Sequence, residues 1–272
     1  MKGAYNMAIL EVEFDSKTLK RTVSFRAILP FEQFQPPYPA LYLLHGLSGN
    51  SGRWMYYTNI RYLAESKGIA VVMPSAENSF YLDVLVKDGC LGDFGEYVGQ
   101  ELVEATRDIL PLSRQREETF ISGMSMGGYG ALRNGLKYHD TFGKIAVFAG
   151  AVHFYEYPRE WVRAQGNVAG ELANFGDLDE TEKTDRNPRV LIRQIEALNQ
   201  ADGTNHFPEL YMTCGTEDAL LGASESLANA LRDAGAKVAW QPVPGRHDFA
   251  FCDQNLPAVL DWLTAGVSPQ AK

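Results

Sequence analysis

Residues 123–127 read Gly-Met-Ser-Met-Gly, placed between the apolar run ETFIS at 118–122 and the small-residue stretch GYGAL at 128–132. A strand that ends in a glycine-flanked turn and passes straight into a helix lifts the turn residue, here Ser125, above a sheet as a nucleophile. Side chains at 123 or 127 would collide with the neighbouring strand and helix while the serine holds a strained conformation, and glycine removes the collision. The first amides of the helix, unpaired and at the positive end of its dipole, then lie beneath the hydroxyl. The chemistry this suits is attack by an alcohol oxygen on an electrophilic carbon. A phosphate cradle is the rival reading, but no Gly-Lys-Ser/Thr follows and the dinucleotide glycine spacing is interrupted. A plain tight turn with a capping serine stays open.

A serine hydroxyl is a poor nucleophile at neutral pH unless a base takes its proton, and histidine is the side chain tuned for that exchange. Of five histidines, His139 falls at the end of the helix after Ser125, and His153 and His206 fall in a long charged stretch; each suits a surface or packing role. His45 belongs to the cluster HGLSGNSG at 45–52. His247, in PGRHD at 244–248, follows the last apolar run on a glycine-bearing loop before the final helix, from which a base can reach Ser125. A carboxylate is also needed, to hold the imidazole in one tautomer. Glu217 and Asp218 directly follow the run ELYMTCGT at 209–216, and either would sit at a strand's carboxyl end. Donors for a developing oxyanion would be the amide of Met126, directly after the serine, and that of Leu47, in the loop after LLHG. His45 would then hold that loop rather than move protons. HGLSGNSG also reads as an ordinary surface turn.

These residues need a sheet beneath them. Two alternating stretches open the chain, Ala8, Leu10, Val12 and Phe14 in one and Val23, Phe25, Ala27 and Leu29 in the other, and predict an antiparallel pair at a sheet edge. Continuous apolar runs at 40–46, 69–75, 118–125, 144–151 and 209–216 predict buried strands, and KVAWQPV at 237–243 a sixth strand. Helical patterns between them include Val98, Leu102, Ala105 and Ile109, and Leu220, Leu227, Leu231 and Ala234 before Gly235, with a last helix near Leu256 to Leu263. The alternation predicts an α/β fold with a mostly parallel sheet, antiparallel N-terminal strands and helices on both faces. One domain over residues 1–272 suffices, with 153–208 as an insertion, either a cap or lid over the site or a plain surface excursion. Its aromatics Phe154, Tyr155, Tyr157, Trp161 and Phe175, with Trp54 and Tyr81, serve either a substrate pocket or the core.

With 34 acidic and 25 basic residues the formal charge is -9, which disfavours nucleic acid and anionic lipid as partners and leaves a small molecule. No run is long enough to span a bilayer and the N-terminus lacks a secretory pattern. Met7 is a candidate natural start. Cys90, Cys214 and Cys252 lack CxxC spacing, which argues for buried packing, no structural zinc and a cytoplasmic location. Self-association into a homo-oligomer is left open.

The segments LLHGLSGN at 43–50, VVMPSAENSFYLD at 71–83, ISGMSMGGYGAL at 121–132, CGTEDALL at 214–221 and PGRHDFAFC at 244–252 resemble the esterase D family of α/β-hydrolases, in its tributyrin esterase-like branch. The likeness runs from about Met7 to Trp262. It implies an α/β-hydrolase fold with Ser125 as nucleophile, Asp218 as acid, His247 as base, and Leu47 and Met126 as oxyanion donors, with no metal or cofactor. It implies a serine carboxylesterase for short-chain acyl esters, acetyl or feruloyl esters of carbohydrates included. Relatives often carry Trp close behind the histidine, where this chain has Asp248, Phe249 and Phe251, a departure that bears on substrate preference. S-formylglutathione hydrolases share the HGL loop but typically carry a cysteine shortly after it, and Ser48 to Arg53 contains none. A hydrolase-like binding module without catalysis is the alternative from another class.

Overall fold

The N-terminal strands Ala8–Ser16 (β1) and Arg21–Leu29 (β2) pair antiparallel from Ala8↔Leu29 to Ser16↔Arg21, with Leu10, Val12 and Phe14 packed inward and Glu11 and Glu13 facing water. The computed structural model describes residues 7–83, 92–164 and 174–272; Cys90 and part of the 153–208 stretch lie outside them. β2 pairs antiparallel with Ala70–Pro74 (β4), and every later neighbour is parallel: Ala40–Leu44 (β3), Thr119–Met124 (β5), Lys144–Phe148 (β6), Glu209–Gly215 (β7) and Val238–Val243 (β8). The strand order is β1-β2-β4-β3-β5-β6-β7-β8. β3, β4 and β5 are buried at every residue, so they are apolar runs rather than alternations.

Six helices of at least eight residues stand among the described residues: Ile60–Lys67 (α1), Leu102–Ile109 (α2), Met126–Lys137 (α3), Pro188–Asp202 (α4), Leu221–Asp233 (α5) and Phe249–Thr264 (α6). The sheet separates two apolar clusters. Tyr42 and Leu44 of β3 enter the first, with Leu102, Leu132, Leu191 and Leu227 from α2 to α5, while Leu41 and Leu43 enter the second, with Ile60, Leu256 and Leu260 from α1 and α6. This is the architecture the sequence pattern predicts. One difference is the start of the second helical segment, where a short turn Phe94–Glu96 and a π-helical turn Tyr97–Glu101 precede α2. There Glu101 accepts hydrogen bonds from Ser16 Oγ and the Lys17 amide, both 2.5 Å, and ties off the β1–β2 hairpin.

Between β6 and β7 the described residues form the turns His153–Glu156, Arg159–Ala164 and Leu178–Thr181 and then α4, with no strand. Asn187 caps α4 by accepting from the Arg189 amide at 3.1 Å, Pro188 fits its first turn, and Gly203 closes it at φ 74°. Phe154 and Phe175 stack with centroids 4.1 Å apart and meet Phe80, while Tyr129 donates to the Arg186 carbonyl. The stretch is also fastened by charge. Arg133 of α3, 1% exposed, reaches Asp83 at 3.1 Å and Asp185 at 2.6 Å, and Lys137 reaches the same two carboxylates at 3.1 and 2.8 Å. Burial pushes both carboxyls up, but the two cations hold them below the usual range. Arg133→Leu should cost about 3 kcal/mol by leaving two carboxylates to one lysine. Both aspartates have lowered folded pKa values, so the deficit should be full above about pH 4 and shrink as they protonate below it. Urea midpoints at pH 7 that match the parent's would show the cluster contributes nothing.

Candidate active site

Ser125 stands between β5 and α3 at φ 56° and ψ −117°. A β-carbon at Gly123 would lie 2.5 Å from the Gly127 carbonyl carbon, and one at Gly127 would lie 2.6 Å from the His45 carbonyl oxygen. Both are backbone collisions, so the turn closes only with glycine at these positions. The Ser125 amide donates to the Phe148 carbonyl at 3.0 Å, and its carbonyl accepts from Tyr129 and Ala151 at 2.9 Å each. The serine is thereby pinned to β6 and α3 while its hydroxyl projects past the carboxyl edge of the sheet.

The structure brings His247 and Asp218 to this hydroxyl. Asp218 follows β7, its side chain is 1% exposed, and it accepts from the Leu220 amide at 2.9 Å and from His247 Nδ1 at 2.7 Å. A carboxylate only accepts, so Nδ1 carries the imidazole proton and Nε2 is the acceptor facing Ser125 Oγ at 2.9 Å. Glu217 is turned outward, paired with Arg246 at 3.0 Å and 56% exposed. The choice between the two carboxylates is thus one of direction: one points under the imidazole and the other into water.

Leu47 lies on the rim of the cavity in front of Ser125, and Met126 is the first residue of α3, so its amide has no carbonyl of a preceding turn to reach. The loop that carries Leu47 is fixed by His45. The Ala76 amide donates to His45 Nε2 at 3.0 Å, and Nδ1 donates to the Gly46 carbonyl at 2.8 Å. Burial lowers the His45 pKa to about 4, so the ring is neutral and structural. A β-carbon at Gly46 would meet Ser125 Cβ at 3.6 Å, an ordinary contact.

The cavity has a volume of about 680 Å³ and is lined by Gly46, Leu47, Arg53, Tyr57, Met124, Ser125, His247, Asp248, Phe249 and Ala250. None of the seven aromatics singled out from the sequence lines it. Trp54, Tyr81, Phe154 and Phe175 are core residues, and Tyr155, Tyr157 and Trp161 pack half-buried against the same core. The wall instead uses Tyr57 and Phe249, whose rings lie 5.4 Å apart. The signal for Phe249 was its place two residues after His247; Tyr57 and Arg53 carried none. Asp248 caps α6 by accepting from the Phe251 amide at 2.8 Å.

The remaining candidates fall elsewhere. His153 is buried beneath the site, its ring 4.2 Å from Phe154, and burial followed by the nearby His247 lowers its pKa to about 4. The rings of His139 and His206 face one another with centres 5.8 Å apart, and neither lines the cavity at Ser125. Cys214 and Cys252 are buried and free, and burial raises both thiols, Cys214 to about 12.

Residues 16–260 match the family model described as "Putative esterase". A protein named acetyl esterase from Caldicellulosiruptor saccharolyticus is 36% identical over 95% of this chain and 98% of its own. Among solved structures, the fluorophosphonate-binding serine hydrolase F of Staphylococcus aureus superposes with TM-score 0.79 at 26% identity, covering 94% of this chain and 98% of that one. The S-formylglutathione hydrolase of the same organism gives 0.80 at 26%, with the same coverage.

Asp218→Asn should reverse the tautomer of His247 and lower kcat by about 10³ to 10⁴, whereas Glu217→Gln should stay within about threefold, since it removes only an exposed ion pair. Ester turnover by the purified variants decides, and the reverse ranking would move the acid to Glu217. The lowered values of His45 and His153 also set a pH dependence. Each binds a proton more readily unfolded, so its stabilisation is complete above about pH 6.5 and lost as pH falls toward 4, by about 2 kcal/mol per ring between pH 7 and 5. Denaturant midpoints of His45→Gln and His153→Gln should therefore fall less over that interval than the parent's.

Proposed function

The chain belongs to the esterase family and is a carboxylic ester hydrolase of α/β-hydrolase fold, and from that premise we propose that it cleaves short-chain acyl esters through an acyl-enzyme on Ser125. The observation that carries this reading is the unbroken run from Asp218 to His247 at 2.7 Å and from His247 to Ser125 at 2.9 Å, at the mouth of a cavity. In the first half-reaction His247 Nε2 takes the Ser125 proton as Oγ adds to the ester carbonyl carbon. The carbonyl oxygen becomes an oxyanion received by the Leu47 and Met126 amides, and Asp218 stabilises the imidazolium. The intermediate then expels the alcohol, which leaves with the proton from His247. In the second, water gives its proton to the same nitrogen, adds to the acyl carbon, and the acid departs as Ser125 recovers its hydrogen. Losing one oxyanion donor would cost about 3 kcal/mol of transition-state stabilisation.

Acetyl and butyryl esters, including acetylated carbohydrate, are the substrates we favour, as in the tributyrin esterase-like branch. The name of the acetyl esterase relative supports the acyl size. The likeness to an S-formylglutathione hydrolase favours a second reading, a thioester of the same small acyl size.

A panel of 4-nitrophenyl acetate, butyrate, octanoate and ferulate, with S-formylglutathione, tests the assignment. We expect kcat/KM for acetate or butyrate to exceed octanoate by about tenfold or more, since chain-length cut-off reports pocket depth. Ser125→Ala should fold normally, fall to background and lose fluorophosphonate labelling. Near-normal turnover by that variant would reject the nucleophile, and a dominant rate with S-formylglutathione would select the thioester.

A further inference from the structure

Arg53 lies on the cavity wall with Tyr57 and Phe249, and its guanidinium carbon is 4.4 Å from the Tyr57 ring centre and 5.4 Å from that of Phe249. The two rings support it from α6 and from the short helix Arg53–Tyr57. Among the described residues it forms no ion pair, although Arg133, Arg159, Arg189 and Arg246 each do. The carboxylate that shares its cavity, Asp248, is engaged otherwise: it caps α6, where the helix amide at Phe251 and the positive end of the helix dipole hold its charge. A guanidinium carries five N–H donors in a fixed plane, and contact with aromatic faces leaves the edges of that plane free for a planar anion. Among the described residues, the cavity thus contains a held cation with no ion-pair partner, beside a serine that needs no cation for ester hydrolysis.

We propose that the substrate is an ester bearing a second, anionic group such as a free carboxylate, and that Arg53 binds that group. The proposal rests on the Ser125 reading above and adds to it the charge of the substrate. The anionic group lies beside Arg53, apart from the scissile carbonyl that meets Ser125. Arg53 takes no part in bond-making; it orients the ester and lowers KM. A role confined to packing Tyr57 against Phe249 would instead affect neutral and anionic esters alike.

The test compares two pairs of esters matched in size and differing in charge, 4-nitrophenyl hydrogen succinate against 4-nitrophenyl pentanoate for the acyl side, and 3-acetoxybenzoate against 3-acetoxybenzamide for the alcohol side. The readout is the kcat/KM ratio of anionic to neutral ester in wild type, Arg53→Gln and Arg53→Lys. In one pair Arg53→Gln should lower the ratio by about tenfold or more, mainly through KM, and Arg53→Lys should retain part of it, as a point charge without the bidentate fork. Wild type alone supplies a second arm: raising salt from roughly 0.05 to 0.5 M should lower the same ratio by screening. Ratios that respond neither to salt nor to residue 53 in both pairs overturn the proposal while leaving Ser125 chemistry standing. Failure of the wild type to hydrolyse even the neutral esters would remove the Ser125 reading, and this proposal with it.

Discussion

Backbone from β3, β5, β6 and α3 closes on the turn at Ser125 so tightly that a β-carbon has no room at 123 or 127, and at 128 it would lie 2.8 Å from Gly150 Cα. That close approach sets the serine's positive φ, a conformation that costs about 1–3 kcal/mol and persists only when its surroundings over-determine it. Here the surroundings do so through the amide bond to Phe148 and the carbonyl's two donors, Tyr129 and Ala151. Strain is concentrated along the same edge: of seven described non-glycine residues at positive φ, Ser48, Glu77, Phe80, Tyr81, Ser125 and Ala149 follow the ends of β3, β4, β5 and β6. Only Lys20, in the β1–β2 hairpin, lies elsewhere. The buried sheet supplies the packing that holds this edge in a costly shape.

Charge at the site follows the same logic of enclosure. Asp218 is a carboxylate with almost no access to water, which is tolerable because one oxygen takes the Leu220 amide and the other the imidazole. In so dry a place its interaction with a protonated His247 would be far stronger than at the surface. The other two histidines near the serine, His45 and His153, are kept neutral by burial, so neither adds a competing positive charge at neutral pH. His45 turns that neutrality to use, since one nitrogen must accept and the other donate to span Ala76 and Gly46.

The parts of the site that depend on backbone geometry were legible in the sequence, because that geometry demands particular residues. Gly123, Gly127 and the serine between them state a turn, and a histidine on a glycine-bearing loop after the last strand states an imidazole within reach of it. The strands were legible for a related reason: burial on both faces leaves β3, β4 and β5 no polar alternation to show. Choosing Asp218 over Glu217 was not a local matter. Both follow β7, and only the direction of each side chain, under the imidazole or toward Arg246, separates them. The aromatic wall was illegible for a deeper reason. Tyr155, Tyr157 and Trp161 were candidates because a long insertion often covers a site, yet they pack on the core, and among the described residues of 153–208 none lines the cavity. Large apolar rings fill cores and pockets alike, and composition carries no sign of which.

Chemistry and recognition therefore draw on different kinds of constraint in this fold. Ser125 and Asp218 sit at strand ends, the first fixed by backbone collisions and the second by buried hydrogen bonds. The cavity wall is made by side chains from two segments far apart in sequence, Arg53 and Tyr57 from the turn after β3 and Phe249 from the first turn of α6. They meet through ring contacts at 4.4 to 5.4 Å. Such contacts require only size and a face, so many residues could fill these positions without disturbing the turn at Ser125. Side chains there can change while the turn at Ser125 stays in place.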